Sequence, residues 1–312
     1  MLSFLLRRIG SGLALIVVIA SLMFVLMNMT GQNVARNIAG QTASEEQVAA
    51  KSAELGLDQP VVTRYLDWIG SAIQGDLGSS WFTGQPVTDT IGAKLPVTLS
   101  ILLVGLLVGT IFSVIIGVAA AVKGGWVDRA VQLLAIIGFA LPSFLIALVL
   151  AAIFAVKLQI FPAVGYVELA ESFSGWAKSI TLPAIALAIG AIAATAQQVR
   201  GSMIDVLKMD YVRTLRSRGL SARSLLFRHA LRNAAPPALT VLSLQFIGLV
   251  GGAVVVEKVF GLYGIGTLVF SSSSSGDQPL VLGVVVVMVL IIVLVNLLMD
   301  VAYGWLNPKV RV

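Results

Sequence analysis

Residues 210–237 read DYVRTLRSRGLSARSLLFRHALRNAAPP, a strongly basic stretch set between two runs of almost pure hydrocarbon. Six of its residues are Arg, and it holds the chain's only His, His229. A basic, amphipathic element tethered at a membrane surface docks on lipid or on a protein. Gly219 tolerates the left-handed turn that ends one helix, and the Ser221 hydroxyl can cap the free amides of the next. The stretch therefore predicts a helix, a turn and a second short helix. At 100° per residue from Ala222 to Arg232, Leu226, Phe227, Ala230 and Leu231 share one face, with Arg223 interrupting it. Arg228, His229 and Arg232 share the other. A helix this short cannot cross a bilayer, so it lies along the surface or plugs into another protein. Base-stacking aromatics are not interleaved with the arginines, which argues against nucleic-acid binding. Topology fixing by anionic lipid and docking on a protein both remain open from charge alone.

On either side of this stretch the composition belongs to a membrane. Hydrophobic residues make up 58% of the 312 and charged residues 12%, and the mean hydropathy is +0.97. A soluble domain would aggregate with such a surface. Six stretches reach the roughly 20 apolar residues that a span requires: residues 9–29, 97–122, 131–156, 180–199, 238–256 and 280–306. Pro96, Pro183, Pro237 and Pro279 stand just before or within the first turn of a span, where a missing N–H costs nothing. Pro142 falls inside the third span and predicts a kink. The fold expected is an all-α integral membrane protein of six transmembrane helices.

Basic residues near the span ends set the orientation. Arg7, Arg8, Lys123, Arg129, Arg200, Lys208, Arg213, Arg216, Arg218, Arg223, Arg228, Arg232, Lys309 and Arg311 lie on the side of the termini and of the second and fourth connections. The opposite side holds Arg36, Lys51, Arg64, Lys94, Lys157, Lys178 and Lys258. Both termini are expected in the cytoplasm. Arg7-Arg8 before an apolar run also suits a secretory signal, but the run exceeds the usual ~7–15-residue core and no small-x-small site follows closely. Residues 1–29 are read as an uncleaved N-terminal helix. Residues 30–95 form an extracytoplasmic helical loop domain, and residues 96–312 a five-helix core that includes the cytoplasmic loop 200–235. In the loop domain, Ser44 and Gln47 make a capping box, Gly56 supplies a stop, and a second helix covers residues 61–73, ending near Gly75. It serves as a lid over the outer mouth or as a landing site for an extracytoplasmic partner. Residues 271–275, five consecutive serines, are the only low-complexity patch.

Several chemistries lack raw material. Cysteine is absent and His occurs once, which removes disulfides, thiol nucleophiles, Cys/His metal sites and Ser-His-Asp catalysis. The dipeptide Gly-Lys never occurs, so the chain has no Walker A loop for ATP. No cofactor and no catalytic or metal-binding residue is expected, and the chain is read as non-enzymatic. An ion- or proton-coupled carrier places ionisable groups at mid-membrane; the six cores contain none, with Glu257 and Asp300 at span ends. Such a carrier is the alternative reading. Thr195, Gln197, Gln198, Thr240, Ser243, Gln245 and Asn296 are the polar candidates within the spans, either as interhelical hydrogen bonds or as path lining.

The stretch DYVRTLRSRGLSARSLLFRHALRN resembles the cytoplasmic loop of the B-type membrane permeases of dipeptide, oligopeptide and nickel ABC importers. The resemblance runs through LGLDQPVVTRYLDWIGSAIQGDLGSSWFTGQPV, LPVTLSI, LPSFLIALVL, FPAVGY, VVVEKVFGLYGIG and VNLLMDVAYGWLNPKVRV in order. It implies the type I ABC importer permease fold in a bacterial inner membrane. It further implies a heterodimer with a C-type permease, two ATP-binding subunits and an extracytoplasmic substrate-binding protein, with ATP and Mg held by the ATPases. Peptides lead as cargo, beside nickel chelates, glutathione and oligosaccharides. The short helix after Gly219 is expected to couple to the ATPase through Arg213, Gly219, Leu220, Ser221, Arg223, Phe227, Arg228, His229, Leu231 and Arg232, with Phe227 and Leu231 in an apolar socket. Gln197, Gln198, Gln245, Glu257 and Phe260 are the candidates for path or outer gate. The chain departs from the family pattern at Leu215, where a small residue is usual, at FGLYGIG, which lacks a Trp-Pro, at the serine run, and at Asn307, where Asp is usual.

Overall fold

A computed structural model describes residues 2–29 and 34–306; the expectations for Asn307, Lys309 and Arg311 lie outside the described residues. The described chain is built from helices, with one isolated antiparallel bridge between Ser79 and Pro86. Five helical stretches are long and apolar enough to cross a membrane by themselves: Leu6–Met29, Val87–Lys123, Phe173–Leu207, Ala222–Val259 and Gln278–Leu306. A sixth span results if the pair Gly125–Ala140 and Ser143–Lys157 is taken together, bent by 99° at the break. Pro142 causes it. Leu141 before it adopts an extended backbone, as a residue preceding proline does, and the helix restarts only afterwards. The expected kink is a full break.

The chain divides into two compact units. One comprises Leu2–Pro96 and Gly264–Val293. Here α1 (Leu2–Met29) turns Ala20 and Phe24 inward. Two short helices come next, α2 (Val34–Ala39) and α3 (Glu45–Glu54), and then α4 (Val61–Ile73). The capping box forms as expected: the Ser44 hydroxyl accepts from Gln47 N and Gln47 Oε1 accepts from Ser44 N at 2.9 Å. Gly56 adopts φ +67° just past α3, and Gly75 φ +87° past α4. One face of α4 lays Tyr65 and Trp68 against Phe24, with ring centroids 5.2 and 6.4 Å apart. The serine run is the end of α12 (Ile265–Ser275). Ser271, Ser274 and Ser275 bond to carbonyls of the preceding turn, so the hydroxyls are satisfied inside the helix.

The other unit comprises Val97–Tyr263 and the chain from Leu294. It contains most of α5 (Val87–Lys123), then α6 (Gly125–Ala140), α7 (Ser143–Leu150) with a π-helical continuation Ala151–Lys157, and α8 (Phe173–Leu207). Helix α8 is the hub. Alanines 184, 186, 188, 191, 193 and 196 are buried along it, and these small side chains let α5 approach at its glycines. A Cβ on Gly105 would lie 3.3 Å from the Ala184 carbonyl, and one on Gly117 only 2.7 Å from that of Ala196. Helices begin well before the apolar runs do, so Pro96 lies inside α5 and Pro183 inside α8 rather than in a first turn. Pro279 does stand in the first turn of α13 (Gln278–Leu306).

Candidate functional site

The basic stretch begins where α8 ends. Helix α9 (Asp210–Ser217) carries Asp210 in its first turn and Arg216 in its last, matching the helix dipole at both ends. Val212 is its buried anchor, while Arg213 and Asp210 meet only at 4.0 Å with both side chains exposed. Such a contact contributes about 0–1 kcal/mol. At the C-terminus Gly219 takes φ +78°, its amide bonds to Arg216 O at 3.1 Å, and Leu220 N reaches Leu215 O at 3.3 Å. The Ser221 hydroxyl then caps Ser224 N. Helix, turn and cap stand where the sequence places them.

Past the cap, the chain departs from expectation. A single turn, α10 (Ala222–Ser224), runs through a π-helical segment Leu225–Ala230 into α11 (Leu231–Val259) without a break. Pro236 and Pro237 lie inside this continuous helix. The segment after Gly219 is thus the end of the fifth span, and the free-standing short helix is α9. In the π segment hydrogen bonds reach five residues back, which rotates the faces away from a 3.6-residue reading. Leu225, Ala230 and Ala234 are buried, and Leu226 and Leu231 pack against a core of Val118, Val199, Met203, Val206 and Ala238. Leu231 is half-buried, with part of its side chain packed within the chain. Phe227 is left outside, 58% exposed.

In the same stretch, Arg213, Arg216, Arg218, Gly219, Ser221, Arg223, Arg228 and Arg232 are exposed, and Leu220 and His229 half-buried. The Arg232 guanidinium sits 5.8 Å from the Trp305 ring centroid. Asn233 Nδ2 donates to Tyr211 Oη at 2.9 Å and to the His229 carbonyl at 3.1 Å, tying α9 to the root of α11. Arg200, seven residues before the end of α8, holds Asp128 of α6 through two nitrogens, and Gln132 adds a 3.1 Å bond to the same carboxylate. Sequence alone marks Arg200 only as a topology residue; the one hint of its partner is an acid in the first turn of a helix after Gly124-Gly125.

The second candidate region closes α11. Glu257 is fully buried and accepts from Thr98 Oγ1 at 2.5 Å, with Thr98 itself enclosed. Beyond it the chain folds back: Leu262 N bonds to Glu257 O at 2.8 Å, and Gly165 N of the FPAVGY segment bonds to Phe260 O at 3.1 Å. Gly261 adopts φ +56°, and a Cβ there would press on Val164 at 3.2 Å. Phe260 is buried, while Tyr263 is 71% exposed. Gln197, Gln198 and Gln245 are half-buried, and Gln198 bonds to Ser202 in its own helix at 3.1 Å. Ser243 likewise bonds to Leu239 O. These two bonds run within helices, not between them as expected. Thr98 escapes a reading of the sequence, because a lone Thr in an apolar run carries no signal of its partner. Among the described residues no group of three His, Cys, Asp or Glu could hold a metal ion.

These features define a polytopic helical membrane protein with a rooted, strongly basic loop beside its spans. Residues 113–312 match the family described as "Binding-protein-dependent transport system inner membrane component", and residues 1–102 match its N-terminal companion. A probable peptide ABC transporter permease of Sinorhizobium fredii is 36% identical over 309 residues, covering 99% of both chains. A putative peptide transport system permease of Brucella abortus is 38% identical over 312 residues, with 100% of this chain and 99% of the relative covered. The glutathione transport system permease GsiC of Salmonella typhimurium is 35% identical over the same length and coverage. The chain therefore belongs to the inner-membrane permeases of binding-protein-dependent ABC importers. It is a multi-pass inner-membrane protein, and its family works with a substrate-binding protein and ATP-hydrolysing subunits.

Proposed function

We propose that this chain is one half of the translocation path of a peptide importer, paired with a C-type permease, fed by an extracytoplasmic binding protein and driven by two ATPase subunits. Both termini and the basic loop face the cytoplasm, and the connection after α1 faces outward, in keeping with the bias of Lys and Arg. The chain performs no chemistry and needs no cofactor; ATP and Mg are handled by the ATPases. The peptide cargo rests on the relatives, two described as peptide permeases and one as a glutathione permease. Glutathione is itself a tripeptide, so one cargo class covers all three.

The observation that carries the ATPase-docking reading is the exposed Phe227 in a stretch whose Arg213, Arg223 and Arg228 are exposed as well, rooted in the core through Val212, Leu225 and Ala230. A rigid root with an apolar centre and a charged rim is what a transmitted tilt requires. Compared with the expectation of a surface helix after Gly219, the docking element becomes α9 together with the first turns of the α10–α11 helix. The Glu257 side chain ties the outer end of α11 to Thr98 of α5 and the Phe260 carbonyl ties it to the FPAVGY segment, so we read them as part of a gate that must break to open. Expressed with its genomic neighbours and purified in mild detergent, the chain should co-elute with two ATPase copies and a second permease. Elution as a lone chain or homodimer with full transport activity would overturn this reading.

A further inference from the structure

The unit formed by Leu2–Pro96 and Gly264–Val293 contains a cavity of about 210 Å³ that the proposed transport cycle does not use. A single water needs only ~10–15 Å³ by such a measure, so there is room for a small organic group. Its walls include Phe24, Arg64, Trp68, Trp81 and Gln278, with Asp67 exposed at the rim. What distinguishes it is a surplus of donors. Arg64 Nη1 donates to Asn28 Oδ1 at 3.1 Å and Nη2 to Gln278 Oε1 at 2.8 Å, two neutral oxygens. No Asp or Glu among the described residues lies within ion-pair distance of it. Burial lowers the Arg64 pKa below its ordinary value, the mark of a cation taken from water without a counter-charge.

Gln278 is 6% exposed, and its bond from Arg64 fixes which way the amide faces, leaving Nε2 enclosed and without an acceptor. The Trp68 Nε1–H is enclosed and unpaired as well. The nearby acid at the start of α13, Asp277, is committed elsewhere: it accepts from Ser80 Oγ at 2.5 Å and from Trp81 N at 3.2 Å, which pins the Trp81 wall. Enclosed donors without acceptors are costly; Arg64, Gln278 and Trp68 all line this cavity, and the paired oxygens of a carboxylate suit a guanidinium.

We propose that this cavity binds the carboxylate end of a short peptide, with Arg64 as its charge partner and Gln278 Nε2 and Trp68 Nε1 as further donors, while Asp67 at the rim faces the rest of the ligand. The choice of a peptide as carrier of the carboxylate rests on the proposed cargo; the preference for a carboxylate does not.

The test uses the permease complex in nanodiscs without the binding protein, titrated with radiolabelled dialanine and, in parallel, dialanine amide. Saturable binding of the free acid is expected, with the amide at least about tenfold weaker and Arg64→Gln weakened by a similar factor. Trp68→Phe keeps an aromatic ring against Phe24 while removing the N–H donor together with part of the indole; it should weaken the acid several-fold and the amide less, a selectivity change that misfolding cannot produce. Equal binding of acid and amide, wild-type affinity in Arg64→Gln, or no saturable binding of dialanine would each overturn the site. Binding-protein-dependent uptake of the same peptide, measured separately, tests the cargo. Uptake without saturable binding refutes this site alone; acid-selective binding without uptake refutes the cargo alone.

Discussion

Replacing Phe227 by Ala isolates the apolar centre of the basic loop from its charged rim. The side chain is 58% exposed and lies outside the core beneath it, so truncation should leave the fold within about 0.5 kcal/mol of wild type. A Phe buries roughly 150–250 Å² when covered completely; the exposed share leaves about 100 Å² for a partner to cover. At about 25 cal/mol per Å² that is ~2.5 kcal/mol, or nearly a hundredfold in affinity if the socket closes fully. Each exposed arginine pairing at the rim contributes ~0–1 kcal/mol. Phe227→Ala should therefore weaken ATPase docking more than Arg213→Ala, Arg223→Ala or Arg228→Ala alone. Binding of isolated ATPase to permease nanodiscs by interferometry reads the affinity, and stimulation of ATP hydrolysis by loaded binding protein reads the coupling. Full stimulation in Phe227→Ala, together with its loss in the single Arg variants, would refute the reasoning.

Three further perturbations probe the frame around that loop. Gly117→Ala drives a methyl to 2.7 Å from the Ala196 carbonyl, against the ~3.5–4.0 Å of a relaxed carbon contact; the α5–α8 pair should lose about 1–3 kcal/mol, seen as a lower unfolding temperature in detergent. Arg200→Met strands the Asp128 carboxylate and should also lower that temperature, while the exchange Asp128→Arg with Arg200→Asp restores most of the loss; no recovery would show that the pair's orientation, not its charge complementarity, matters. Thr98→Val withdraws the 2.5 Å bond from Glu257, and Glu257→Ala removes the acid. Both should reduce peptide uptake while basal ATP hydrolysis persists, and unchanged uptake in Glu257→Ala would remove this residue from the gate.

Local chemistry makes much of this structure legible in the sequence. The capping box at Ser44, the stops at Gly56, Gly75 and Gly219, and the cap at Ser221 depend on one or two residues whose backbone demands are strong, and each stands where the sequence places it. The spans are legible because length and hydropathy suffice to define them. Helix starts are not: apolar runs report where a helix enters hydrocarbon, whereas α5 and α8 begin earlier, in polar sequence, and carry Pro96 and Pro183 inside them. A 3.6-residue period groups Leu231 with Phe227, whereas in this partly π-helical segment Leu231 packs half-buried against the core and Phe227 is exposed. Partners across long sequence separations, such as Thr98 with Glu257 or Arg200 with Asp128, cannot be assigned from the sequence, since neither member's identity specifies the other.

The most direct test of the central claim is uptake of a labelled short peptide into proteoliposomes containing this chain, its co-purified permease and ATPases, with binding protein on the outside and ATP within. Uptake that requires both the binding protein and ATP hydrolysis, and that is indifferent to dissipation of ion gradients, is the result predicted. Uptake by this chain alone, driven by a proton or sodium gradient without ATP, would contradict it.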